Sequence, residues 1–141
     1  MSSRFAVALH ILSYLGLKGS LAVTSEEIAR SIGTNPVVVR RLLADLRRAG
    51  LVVIQPGPHG GARLTRGASA IALSDVLHAV EQGPILALHT NPPNAACPVG
   101  RHIEGVLSSV FVEAEKAMER VLKRSSLADL TDGLKRCSGA S

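Results

Sequence analysis

A chain of 141 residues with 46% hydrophobic side chains has length for one domain with an extension, and is too apolar for disorder to be its main state. Lys and Arg exceed Asp and Glu by 16 to 11, a formal charge of +5, which suits a polyanionic partner. With one Tyr, two Phe and no Trp there is no platform for stacking unpaired bases, so the charge points to duplex DNA and away from single strands.

Arg4 and the apolar run Phe5 to Leu17 have the outline of a signal peptide. His10 and Ser13 interrupt the run, however, and no small-x-small cleavage site follows. Val7, Ile11, Leu12 and Leu15 recur at helical spacing, which predicts a first helix from about Ser3 to Leu17, ended by Gly16 and Gly19. His10 on this apolar helix reads as a partly buried, hydrogen-bonded histidine rather than a ligand. No stretch is long and apolar enough to span a bilayer, and no polybasic run adjoins an apolar anchor. Cys97 and Cys137 lie far apart and form no disulfide framework, so the expected setting is the reducing cytoplasm.

Thr24-Ser25-Glu26-Glu27 has the form of a capping box, with Thr24 capping a short helix and Glu27 reaching back. Ile28, Ala29 and Ile32 lie in that helix and Gly33 stops it. After the turn Gly33-Thr34-Asn35, Asn35 is a favoured N-cap and Pro36 suits the first helical position. A third helix runs to about Ala49, with Gly50 as its stop. Leu51 to Ile54 form a β-branched run, Pro56 to Gly61 a turn cluster, and Arg63-Leu64-Thr65 a returning strand. Helix, short helix, turn, helix and hairpin is the order of a winged helix-turn-helix.

Ser74 is expected to cap a helix through about Gln82, broken by Gly83-Pro84. Pro98 to Arg124 reads as a long helix of about 35–40 Å. Ile103, Leu107, Val110, Ala114, Ala117 and Val121 step by four and three, the spacing of a coiled-coil seam, with Phe111 and Met118 beside it. A helix that long on so small a domain suggests a partner helix and hence a homodimer; an ordinary packing helix within one chain is the plainer reading. The tail from Ser126 holds a short helix at most, with Cys137 to Ser141 frayed. The fold class is therefore mainly α with a small β wing. Residues 1–67 form the winged helix-turn-helix region, 68–97 a connecting helix and loop, and 98–141 the dimerisation helix and tail, all in one compact domain.

At about 100° per residue, Val39, Leu42, Leu43 and Leu46 fall on one face of the third helix and should pack inward. Val37, Arg41, Ala44 and Arg48 fall on the opposite face. That strip suits the major groove: Arg41 for a guanine edge, Val37 for a thymine methyl, Ala44 for close approach. Arg48, with Arg40 and Arg47 flanking, suits phosphates. Thr34, Asn35 and Val38 complete the candidate DNA-contacting set on this side, and His59, Arg63 and Arg66 are the wing candidates. A solvated charged face without a partner is the plainer reading of the same arginines. Cys97 precedes Pro98 at the start of the long helix, where free N–H groups and nearby Arg101 favour a thiolate and a thiol sensor. A small packing residue is its bland counterpart. A metal site from Cys97, His89 and His102 lacks dense ligand spacing.

Three stretches carry a family likeness: Ser3 to Leu12 (SRFAVALHIL), Thr34 to Leu42 (TNPVVVRRL) and Asn91 to Gly100 (NPPNAACPVG). The first two, with the wing glycines, resemble the Rrf2 family that includes the IscR, NsrR and CymR regulators. The third resembles its YwnA-like branch without the cluster cysteines. The likeness spans nearly the whole chain. It implies a homodimer that binds a pseudo-palindromic operator in double-stranded DNA, often as a repressor answering a redox, iron–sulfur or metabolite signal. Cluster-binding members carry three cysteines in the loop before the long helix, where this chain has Cys97 alone, so no iron–sulfur cluster or other cofactor is expected. In the wing, Pro56 stands where such members often have Arg. The competing functions are a thiol-dependent enzyme using Cys97 with His89 or His102, and a winged-helix module that binds protein. No nucleophile elbow, phosphate loop or metalloprotease motif supports an enzyme, and the Arg41/Arg48 strip opposes a pure protein-binding module.

Overall fold

The helix order begins with local capping chemistry. In the computed structural model, which describes residues 3–139, α1 spans Arg4–Lys18, α2 Ser25–Ile32 and α3 Pro36–Arg48. Thr24 Oγ1 accepts the Glu27 N–H at 3.2 Å and Asn35 Oδ1 accepts the Val37 N–H at 2.8 Å, each satisfying an N–H that a helix start would leave open. Gly33 ends α2 in the left-handed region at φ 81°, where glycine carries no Cβ penalty. Only half of the expected capping box forms. Glu27 turns its carboxylate to Tyr14 of α1, whose hydroxyl donates at 2.6 Å, and to Lys18 at 3.3 Å.

Strands β1 (Val52–Gln55) and β2 (Gly61–Leu64) pair antiparallel with Val53 opposite Arg63. Val23, just before α2, bridges Ala62 of β2 with N–H···O bonds of 2.9 and 2.8 Å. Gly61 makes this approach feasible: its φ is 145°, and a Cβ there would lie 2.5 Å from the Val23 backbone. The wing is thereby tied to the helix-turn-helix.

A 3-10 turn at Ala68–Ala70 leads to α4 (Leu73–Val80), then α5 (Pro98–Lys123) and α6 (Leu127–Ser138). Four expectations need correction here. Gly16 lies inside α1 and ends nothing; instead a Cβ there would sit 3.1 Å from Thr131 Cγ2 of α6, so its smallness admits α6. Ser74 is buried inside α4, which begins one residue before it, with the Ala72 N–H donating to Asp75 Oδ2 at 3.1 Å. The tail forms a twelve-residue helix, capped reciprocally by Ser126 and Asp129, that reaches past Cys137; residues 140 and 141 lie outside the described residues. His10 is exposed, although Ser31 Oγ lies 2.9 Å from its Nε2.

One core joins these elements. Ile11, Leu12 and Leu15 of α1, Ile28 of α2, Val39 and Leu46 of α3, Leu51, Ile71, Val76 of α4 and Leu127 of α6 are all 1% exposed or less. Burying each such Leu or Ile contributes about 1.5–3 kcal/mol, so α3 is fixed through its inner face.

Candidate nucleic-acid interface

The turn between α2 and α3 sets how α3 is presented. The N–H groups of Gly33 and Thr34 both donate to the Ala29 carbonyl, at 2.8 and 3.0 Å. From there Val39, Leu42, Leu43 and Leu46 point inward at 4% exposure or less, the face that the helical wheel assigns to packing. The opposite side faces solvent. Val37 and Val38 are 43% and 40% exposed, Arg40, Arg41, Arg47 and Arg48 are exposed, and Ala44 is half-buried. Asn35 and Thr34 lie at the entry to the helix, with the Asn35 side-chain oxygen engaged in capping.

The arginines are not equivalent. Arg40 pairs with Glu26 of α2 at 3.0 Å. Arg48 pairs with Asp45, whose other oxygen takes Arg4 of α1 at 2.9 Å. Among the described residues, Arg41 and Arg47 have no ion pair. The Glu26 carboxyl is held below the usual carboxylate range, first by its own backbone N–H and then by Arg40. Exposed pairs of this kind are worth about 0–1 kcal/mol, so a phosphate can compete for Arg40 and Arg48. Sequence reading missed Asp45 as the hub of this charge set. The Arg48 contact has a local signal in its i, i+3 spacing, but the Arg4 contact joins residues 41 apart and has none.

In the wing, His59 and Pro56 are both exposed in the hairpin turn, and Arg63 is half-buried on β2. Arg66 is exposed but engaged within its own chain: its Nε donates to the Ala70 carbonyl at 2.9 Å and its Nη2 lies 3.5 Å from Asp75.

Helix α5 has no buried residue. Ile103, Leu107, Phe111 and Met118 are half-buried, whereas Val110, Ala114, Ala117 and Val121 are exposed, as are Val99 and Val106. Glu115 Oε1 accepts the N–H groups of Ile85 and Leu86, both at 2.8 Å, which moors the connecting loop along the helix. Cys97 stands exposed at the N-cap position. The backbone N–H of Gly100, then that of Val99, holds its thiol below the ordinary range. Arg101, expected to act on the sulfur, sends its Nε to the Ala95 carbonyl at 3.2 Å.

Among the described residues no group of three or more His, Cys, Asp or Glu side chains could hold a metal, so His89 and His102 do not assemble a site with Cys97. The loop before α5 offers one thiolate, and an iron–sulfur cluster needs more ligands than that; these residues do not fit such a group. No helix among the described residues is long and apolar enough to cross a membrane.

A family model described as Rrf2, iron-dependent transcriptional regulator, matches residues 1–133. The chain is 40% identical over 135 residues to YwnA of Bacillus subtilis, described as a helix-turn-helix-type transcriptional regulator, covering 95% of this chain and 98% of that one. Among solved structures, a transcriptional regulator from Lactobacillus plantarum is similar with a TM-score of 0.80 at 28% identity, covering 96% of this chain and 91% of its own. T. potens IscR is similar with a TM-score of 0.74 at 25% identity, covering 97% and 89%.

Proposed function

Because this chain belongs to the Rrf2 family of transcriptional regulators, we propose that it binds a pseudo-palindromic operator as a homodimer and represses by occupying it. The observation that carries the reading is the outward face of α3, where Arg41 is exposed and without an ion pair among the described residues, beside exposed Val37 and half-buried Ala44. Arg41 reads a base edge, Val37 and Val38 approach thymine methyls, and Thr34 and Asn35 lie against the backbone at the helix entry. Arg40, Arg47 and Arg48 take phosphates, with His59 and Arg63 following from the wing. Arg66 is left out of this set, because it is held by Ala70 and Asp75.

The second copy covers the exposed stripe of α5, placing two recognition helices about one turn of DNA apart. The seam runs through Val110, Ala114, Ala117 and Val121, extended by Val106 and Val99. Ile103, Leu107, Phe111 and Met118 support it from the half-buried side. The regulator works without a cluster on Cys97. That residue, exposed and with its thiol held low by two backbone N–H groups, is the point where a thiol-reactive signal enters at the end of the dimer helix. No observation on the molecule favours an enzyme.

The test is a gel-retardation series on operator variants. Arg41→Ala should lose about 1–3 kcal/mol of discrimination at one base pair per half-site, while Arg48→Ala weakens all sequences alike. An unchanged ranking of operator variants in Arg41→Ala would remove base reading from that residue.

A further inference from the structure

The exposed stripe of α5 carries an internal symmetry. Turned end for end about a point between Ala114 and Ala117, it maps onto itself: Val110 falls on Val121 and Ala114 on Ala117. The two alanines sit in a shallow notch of about 540 Å³ on this face, edged by Val110, Glu113, Lys116 and Arg120. Val110 and Val121 stand open at 57% and 46% exposure. Glu113 and Arg120 lie one heptad apart on the same flank of the stripe, both exposed. Among the described residues neither side chain has an ion pair, whereas Glu115 and Glu119 of the same helix are engaged with the Ile85 and Leu86 N–H groups and with His78.

A self-symmetric stripe is what a two-fold axis requires, because each copy then offers the surface that the other receives. Run antiparallel, two such helices stack Val110 on Val121 and approach closely at the alanines. The same overlap sets each Glu113 beside the partner's Arg120, once on either side of the axis. A parallel pairing sets Glu113 across from Met118 of the partner subunit and Arg120 across from Ser125 of the partner subunit, where no charge answers. Resting on the homodimer reading above, we propose that Glu113 and Arg120 choose the partner. Two reciprocal ion pairs hold α5 antiparallel to a second copy and reject chains that lack them. Exposed pairs add little affinity, but like charges set together at those places are penalised, which is how flanking charges discriminate between similar helices. A mispaired chain would bring a foreign recognition helix to the second half-site; its exclusion leaves both half-sites to α3 of one sequence.

Sedimentation of the full chain at low salt, without DNA, tests the pairs by reversing their charges. Glu113→Arg alone and Arg120→Glu alone each set like charges together at both contacts, and should weaken the homodimer by about five- to thirtyfold. Glu113→Arg combined with Arg120→Glu exchanges the charges and should restore it. Mixing the two single variants should give the mixed dimer, in which both contacts are opposite in charge again. The double variant should refuse the parent chain. Single variants that dimerise like the parent, a double variant no better than the singles, or random mixing of the two singles overturns the proposal. A parent that dimerises while every reversal is without effect leaves the α5 seam standing and removes only the ion pairs. A parent that stays monomeric at every concentration takes the homodimer reading down with them.

Discussion

Helices α3 and α5 are both amphipathic, yet they dispose of their apolar faces in opposite ways. In thirteen residues α3 buries Val39, Leu42, Leu43 and Leu46. In twenty-six, α5 buries none, and Val99, Val106 and Val110 remain 67%, 62% and 57% exposed. The first helix is held by its own chain and offers solvent a cationic strip. The second is held along one side and offers solvent a row of valines. An apolar stripe of that length outside the core is the mark of an association surface, whereas exposed arginines on a fixed helix mark a polar one. Damage to the inner face of α3 should therefore appear as lost folding, and damage to the outer face of α5 as lost association.

The largest effects test that division directly. Val106→Asp together with Val110→Asp places two charges in the proposed seam, a penalty of several kcal/mol on association. Sedimentation should show folded monomers that bind operator poorly, and a persisting dimer would end the assignment of α5. The matching cut on α3, Leu46→Ala, should cost about 2–5 kcal/mol of folding stability in urea unfolding. If Leu46→Ala instead left stability intact and changed only association, the contrast between the helices would collapse.

A smaller effect sharpens the description of the α3 surface. Asp45 holds Arg4 and Arg48, so Asp45→Asn should release cations toward phosphate and tighten binding to all DNA sequences. The slope of log affinity against log salt should steepen by about one counterion. Weaker binding by this variant would mean that Asp45 orients Arg48 and does not withhold it.

The smallest effect lies behind the helix-turn-helix, where Tyr14 and then Lys18 hold the Glu27 carboxyl below its usual range. A lowered carboxyl contributes stability above its unfolded pKa and loses it as pH falls through the folded value. Tyr14→Phe should therefore be less stable than the parent by a constant margin near neutrality, and that margin should shrink below about pH 4. The groups are exposed, so the margin is slight; thermal melts that gave a margin growing with acid would reverse the sign and refute the arrangement.

Much of this molecule was legible in the sequence because the signals act within one or two turns. Thr24 and Gly33 fixed where α2 begins and ends, Asn35-Pro36 fixed where α3 begins, and helical periodicity alone put Val39, Leu42, Leu43 and Leu46 inside. The heptad on α5 showed which residues share a stripe, but not that Leu107 and Phe111 would be half-buried while Val110 and Val121 stayed open. Capping and periodicity depend on neighbours three or four residues away, so they can be read from a string. Tertiary structure decided the rest: Asp45 meeting Arg4, Glu27 leaving its own cap for Tyr14, Val23 pairing with Ala62, and α6 closing on Gly16 of α1. Each of those contacts joins segments that only chain folding brings together. Competition among partners for one carboxylate or one open backbone edge is settled by that proximity, which no local pattern records.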